Sequence, residues 1–255
     1  MAELDGRHIV VTGAGTGIGR AVAQRLSRDG ASLTLLSRDG RRLEETAAMI
    51  ATPTHVAPCD IRVRKAVDRA FAGAAAALGP VHVLVAVAGV GGPNGEGAAD
   101  RFDDLVTTNL VGTYSCCRAA VRQLAPGPVA RHLVVVSSIL ARIGVPGYTG
   151  YCASKAGLLG LVRSLAAELA PDNVQVNAIC PGWVDTDMAW QGLDLIAEGS
   201  GGSREDAYRR AMSDVPLGRM SQPEDVAGTV AWLISSDARG VTGQTIDQNG
   251  GAWMG

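Results

Sequence analysis

Tyr151 and Lys155 stand four residues apart in the run Tyr-Thr-Gly-Tyr-Cys-Ala-Ser-Lys-Ala-Gly, residues 148–157. On a helix that spacing puts both side chains on one face, so a phenol and an ammonium can point into one site. A free phenol titrates near ~10 and a neighbouring cation favours the phenolate, so the pair offers a proton donor and acceptor usable closer to neutrality. Lysine usage sharpens the reading, because the 23 basic residues are almost all arginine and the only lysines are Lys65 and Lys155. Tyr-x-x-x-Lys is also a common accident on exposed helices. The segments around it must decide.

The first of them is a phosphate cradle. A short apolar run over 7–12 is followed at once by Gly13, Gly15, Gly17 and Gly19, with Thr16 and Ile18 between them, and then by a helical pattern carried by Ile18, Val22 and Leu26. Strand, glycine turn, helix is the context in which glycines imply phosphate binding: backbone N–H groups approach closely and the helix N-terminus adds partial positive charge. The spacing is Thr-Gly-x-x-x-Gly-x-Gly rather than Gly-x-Gly-x-x-Gly. A second apolar run over 32–36 ends in Ser37-Arg38-Asp39. A dinucleotide fold places the adenosine ribose at this strand end, and a small hydroxyl followed by arginine suits a 2′-phosphate, which favours NADP(H) while leaving NAD(H) possible. Asp39 comes one place late for the acidic ribose reader, and Arg38 as a plain solvated charge is the competing reading. After a third strand, over 55–57, come Asp60 and Ile61. The Asp60 carboxylate could accept from the adenine amine, or could cap the helix expected from about residue 63.

The remaining pattern predicts helices over 41–50, 66–78 and 102–124, and strands over 81–87, 133–136, 173–179 and 243–246. The strands are continuous apolar runs, as expected when helices cover both faces. Asn109 interrupts the 102–124 periodicity, either as a routine polar residue or because a backbone carbonyl is needed elsewhere. Ser137 and Ser138 follow the fifth strand. Residues 187–215 change character, with Met188, Trp190, Leu193 and Ile196, then glycines, then a charged helix. This predicts a mobile lid. Seven strands alternate with helices over 1–255 with no linker, so the expected fold is α/β, a single domain with a Rossmann-like, doubly wound parallel sheet and ligands outside the carboxyl ends of the strands.

Composition agrees. A chain of 255 residues, 47% hydrophobic and 19% charged, can bury a large core, which excludes a disordered chain. Net charge is −2 with no basic stripe, so nucleic acid is not an expected partner. No signal region opens the sequence and no apolar run reaches membrane-spanning length, so the expectation is a cytoplasmic protein with no membrane partner. Cys59, Cys116, Cys117, Cys152 and Cys180 lack Cys-x-x-Cys spacing, which supports buried thiols rather than a disulfide framework or a metal site. His8, His82 and His132 fall at strand starts and are expected to be satisfied structural residues.

Along nearly its whole length the sequence resembles the short-chain dehydrogenase/reductase family. The resemblance rests on Thr12-Gly13-x-x-x-Gly17-Ile18-Gly19, Asn109, Ser138 thirteen positions before Tyr151-x-x-x-Lys155, and Pro181-Gly182-x-x-x-Thr186. It implies nicotinamide hydride transfer and usually a homotetramer, for which the C-terminal Trp253-Met254 would suit burial against another subunit. It also implies roles: Tyr151 as proton donor or base, Ser138 as hydrogen-bond partner of the substrate oxygen, Lys155 as the group that lowers the tyrosine pKa and holds the nicotinamide ribose, Asn109 as holder of a relay water. Ala88, Gly89, Pro181, Gly182, Val184 and Thr186 join the cofactor site, the last two at the carboxamide. The family usually has Asn-Asn-Ala-Gly after strand four, whereas this chain has Ala86-Val87-Ala88-Gly89, so weaker or retuned cofactor binding is expected. The expected activity is an NADP(H)-dependent ketoreductase for an apolar small molecule, cyclic or acyl, judged from Trp183 and the lid. An NAD-dependent dehydrogenase of a diol or hydroxyacyl-CoA is the alternative, and a non-catalytic dinucleotide sensor a third reading.

Overall fold

A computed structural model describes residues 4–255, which form one seven-stranded, wholly parallel sheet in the order β3-β2-β1-β4-β5-β6-β7. In chain order the elements are β1 (His8–Thr12), α1 (Gly17–Arg28), β2 (Ser32–Ser37), α2 (Gly40–Ala47), β3 (Thr54–Pro58), α3 (Arg64–Leu78), β4 (Val83–Ala86), α4 (Phe102–Val106), a π-helical turn (Thr107–Gly112), α5 (Thr113–Arg122), β5 (Arg131–Val136), α6 (Thr149–Leu169), β6 (Val174–Pro181), α7 (Asp187–Ser200), α8 (Arg204–Ser213), α9 (Pro223–Leu233) and β7 (Thr245–Gln248). Strand order reverses between β1 and β4, which opens a crevice at the carboxyl ends of the strands.

The continuous apolar strands are explained by two cores. Val10, Leu84, Leu133 and Val176 face α3, α5 and α6, whereas Ile9, Val11, Val85 and Ile179 face α1 and α9. Every residue of β1, β4, β5 and β6 is buried. Four of the cysteines are buried in this packing and Cys152 is half-buried, all as free thiols.

Two expectations about elements are corrected. The single helix over 102–124 is instead two α-helices joined by the π-helical turn around Asn109. The reason is local: the Asn109 side chain grips the backbone of Val90 on both its N–H and C=O, and a Cβ on Gly112 would lie 2.8 Å from Ile61 Cγ1. The last strand begins two residues later than expected. Before it, Thr242 Oγ1 and Asn177 Oδ1 accept the backbone N–H groups of Val176 and Gln244 that a ladder would otherwise take.

The strand-start histidines also divide. His8 is bonded at both ring nitrogens, to Gly79 O at 2.7 Å and Thr34 Oγ1 at 2.9 Å, and His82 Nδ1 accepts from His8 N. His132 is buried with no partner for Nδ1, and burial pushes its pKa down to about 4. The unfolded chain therefore takes up this proton first. The stabilisation tied to neutral His132 is present above pH 6.5 and is lost as pH falls toward 4, on the order of 3 kcal/mol in all. Urea unfolding of the protein and of His132→Leu at several pH values between 4 and 7.5 is expected to show the parent losing stability relative to the variant as pH falls; parallel curves would contradict it.

Candidate active site

Each predicted segment arrives at the crevice. Gly13, with φ +69°, takes a left-handed turn at the tip of β1, and a Cβ there would stand 2.9 Å from the backbone of Ala88. A Cβ on Gly15 would meet Arg42 Cβ at 3.1 Å and Ser37 Oγ at 3.4 Å, and one on Gly17 would meet Thr186 Cγ2 at 3.1 Å. The glycine turn thus meets the segment after β4, the end of β2 and the segment after β6 in succession, and its missing side chains leave a groove floor of bare backbone. Thr16 precedes α1 without capping it, and the first turn of α1, which contains Ile18 and Gly19, holds no acidic residue. Its free N–H groups are available to an anion, so these residues fit a pyrophosphate.

At the adenosine end both carboxylates are engaged within the chain. Asp39 caps α2 by accepting from Arg42 N, which explains why it is no ribose reader. Asp60 caps no helix, since Val63 flanks α3; its carboxylate takes both the backbone N–H and the guanidinium of Arg62, which holds it below the usual carboxylate range. The Ile61 side chain is buried against Gly112, so only its backbone is left for a ligand. Arg38 is exposed. Arg42, which sequence reasoning passed over, borders the glycine turn, its Cβ 3.1 Å from where a Cβ on Gly15 would be.

At the altered strand end, other groups supply the ties. Thr12 Oγ1 accepts from Val87 N and Ala88 N, both at 3.1 Å, and Asn109 holds Val90 while donating to Ser154 Oγ at 3.1 Å. The strand end is therefore fixed without the two family asparagines. On the β6 side, a Cβ on Gly182 would fall 2.9 Å from Asn249 Cα, and the Thr186 hydroxyl donates to Val184 O and accepts from Ala189 N at the start of α7. Pro181 closes β6 directly before it.

Lys155 borders Gly89 and Tyr151 borders Gly91, with Ser138 two residues past the end of β5. Lys155 Nζ is buried, donates to Val136 O at 3.0 Å, lies 5.7 Å from the Tyr151 ring centre, and would stand 3.6 Å from a Cβ on Gly89. The Ser138 side chain lies close enough to Tyr151 to favour its ionised form. Ser137, the neighbouring alternative, spends its hydroxyl on Lys155 O at 2.8 Å and so steadies the helix instead. Burial raises the Tyr151 pKa, with the Ser138 side chain pulling the other way, and pushes Lys155 down to about 8. Desolvation is the largest influence on the phenol, so at neutral pH it keeps its proton.

The α7–α8 hairpin has a small core of its own. Leu193 is fully buried in it, and Trp190 stacks on Tyr208 at 5.8 Å while donating from Nε1 to Asp185. These two expected lid contacts therefore face the hairpin rather than a ligand. Met188 remains: its sulfur is 2.9 Å from where a Cβ on Gly91 would be, and Tyr151 Cε2 is 3.8 Å from the same point. Trp253 also finds a partner within the chain, stacking under Arg142 at 4.9 Å, which leaves Met254 exposed. No helix among the described residues is long and apolar enough to cross a membrane.

A family model described as enoyl-(acyl carrier protein) reductase matches residues 13–252. The 3-oxoacyl-[acyl-carrier-protein] reductase MabA of Mycobacterium tuberculosis is 33% identical over 251 residues, 98% of this chain and 94% of that protein. Short-chain reductase protein NovJ of Streptomyces niveus is 36% identical over 250 residues, 95% and 92% of the two chains. A solved variant of actinorhodin polyketide ketoreductase with NADPH superposes with a TM-score of 0.89 at 32% identity, covering 96% of this chain and 97% of that one.

Proposed function

Because this chain belongs to the short-chain dehydrogenase/reductase family of NAD(P)-dependent oxidoreductases, we propose that it reduces a ketone on an apolar acyl or cyclic substrate, with NADPH preferred. The observation that carries the reading is the grouping of Tyr151 and Lys155, with Ser138 acting on the phenol, along the loop of Gly89 and Gly91, whose Ala88 backbone abuts Gly13 of the glycine turn. A bound reduced nicotinamide supplies the hydride. The α1 N-terminus and residues 13–19 hold the pyrophosphate, Arg38 with Ser37 the 2′-phosphate, and Val184 and Thr186 the carboxamide. Ser138 donates a hydrogen bond to the carbonyl oxygen, and Tyr151, protonated because it is buried, delivers its proton to that oxygen. Lys155, anchored on Val136 O, restores the proton to the tyrosine and fixes the nicotinamide ribose. Asn109 organises the relay from the π-helical turn. The α7–α8 hairpin serves as the lid, with Met188 as its contact beside the tyrosine.

The reading is supported by the likeness to MabA, a 3-oxoacyl-[acyl-carrier-protein] reductase, and to actinorhodin polyketide ketoreductase. Its test is a panel of β-ketoacyl thioesters, cyclic ketones and polyketide mimics, each assayed with NADPH and with NADH by loss of the reduced-nicotinamide absorbance. Turnover confined to NADH would turn the reading toward the NAD-linked dehydrogenase. Arg38→Ala is expected to weaken NADPH binding about 10- to 100-fold, the worth of a charge-assisted hydrogen bond, and to leave NADH binding within about twofold. Titration of both cofactors into both proteins checks it. The family habit of homotetramers extends to this chain under the same proposal, and sedimentation of the intact protein tests that assembly.

A further inference from the structure

Tyr151 is the third residue of α6, in the turn where a helix has the fewest bonds of its own. Tyr148, which flanks the helix, provides no side-chain cap. The cap comes from another segment. Asn94, in the loop after β4, accepts from Gly150 N at 2.8 Å through Oδ1. Its Nδ2 donates to Asp100 Oδ1 at 2.9 Å, and the same carboxylate oxygen accepts from Phe102 N at the start of α4. The backbone of Asn94 is used as well: its N–H donates to Gly147 O at 2.8 Å and its C=O accepts from Arg101 N at 2.7 Å. Gly150 is buried in this joint, where a Cβ would stand 3.0 Å from Phe102 Cα and 3.2 Å from Asn94 Oδ1.

We propose that Asn94 is a positioning residue for Tyr151. It pins the first turn of α6 to α4 and to the loop over the crevice, and so sets where the phenol stands, without touching the substrate. The proposal rests on the ketoreductase reading above. In that reading a small displacement of the proton donor costs rate, while the glycine groove at residues 13–19, far from Asn94 in the chain, keeps its hold on the cofactor.

The test is steady-state ketone reduction together with NADPH titration on a set of variants. Asn94→Ala is expected to lower kcat about tenfold, with the NADPH dissociation constant within about twofold of the parent. Asn94→Asp keeps an acceptor for Gly150 N but sets a second carboxylate against Asp100 with no donor between them, and is expected to be similarly slow at neutral pH. Adding Asp100→Asn to that variant removes the second carboxylate and offers an amide donor to position 94, at the cost of the Phe102 N–H bond that the same Asp100 oxygen accepts, and is expected to raise kcat severalfold above that of Asn94→Asp. A contribution to folding alone would lower the melting temperature of Asn94→Ala and leave its kcat per folded molecule unchanged, which overturns the proposal. If Asn94→Ala does not fold, the double variant still decides: folded but as slow as Asn94→Asp, it also overturns the proposal. Should Tyr151→Phe retain full turnover, the ketoreductase reading itself fails, a result separate from either of these.

Discussion

Replacing Tyr151 by phenylalanine is expected to lower kcat for ketone reduction by about 10²–10⁴-fold and to leave NADPH affinity within about threefold. The ring remains, so its packing beside Lys155 and Met188 is kept, and only the hydroxyl is lost. No neighbour replaces it easily. Ser138 can still hold the carbonyl oxygen, but an aliphatic hydroxyl is a far weaker acid than a phenol. Lys155 Nζ is tied to Val136 O at 3.0 Å on the other side of the site. The elevated tyrosine pKa adds a sign to the prediction: the group works protonated, so the proton-donating form is present throughout the range below its usual titration near ~10 and is depleted only above it. Single-turnover mixing of enzyme, NADPH and ketone separates chemistry from binding. A variant that binds NADPH and turns over at the parent rate would remove the tyrosine from the mechanism. If the parent itself binds NADPH and shows no turnover with any ketone of the panel, the sensor reading gains instead.

Much of this site could be read from the sequence because its parts are local. Tyr151 and Lys155 are one helical turn apart, and the residues of the glycine turn are neighbours in the chain, so periodicity and spacing suffice. The order of apolar strands likewise carries the doubly wound sheet, and with it the edge at which every ligand group gathers. What escaped the sequence are hydrogen bonds that join distant segments. Thr12 reaches Val87 across 75 positions and Asn94 reaches Gly150 across 56, and a lone threonine or asparagine carries no mark of such a partner. The lid shows the same limit at another scale. An apolar pattern over 187–196 announces a helix with something to bury, yet Leu193 and Trp190 bury it against α8 rather than against a ligand. The direction of the Tyr151 shift is likewise hidden, since the sequence displays the neighbouring cation and conceals the desolvation that acts on the phenol.

Gly19→Ala is expected to weaken NADPH binding about 100-fold or more, and more severely than Gly17→Ala. The argument is one of space. A Cβ at position 19 would lie 2.1 Å from Gly13 O, 2.6 Å from Gly13 C and 3.1 Å from Ala14 Cα. All three are backbone atoms of the glycine turn, so no side chain can swing aside. Either the turn or the start of α1 must move, and α1 is packed between the sheet and α9, where Val22 and Leu26 meet Val226 and Val230. Overpacking of this kind costs about 1–3 kcal/mol, and 3 kcal/mol spent in the binding groove is a little over 100-fold in affinity. At position 17 the nearest atom is Thr186 Cγ2 at 3.1 Å, the end of a side chain, although φ +49° adds backbone strain for alanine. Titration calorimetry of both variants with NADPH, alongside their melting temperatures, orders the two effects. If Gly19→Ala bound NADPH like the parent, the pyrophosphate would have to be held somewhere other than this turn, and the cofactor groove would need to be redrawn.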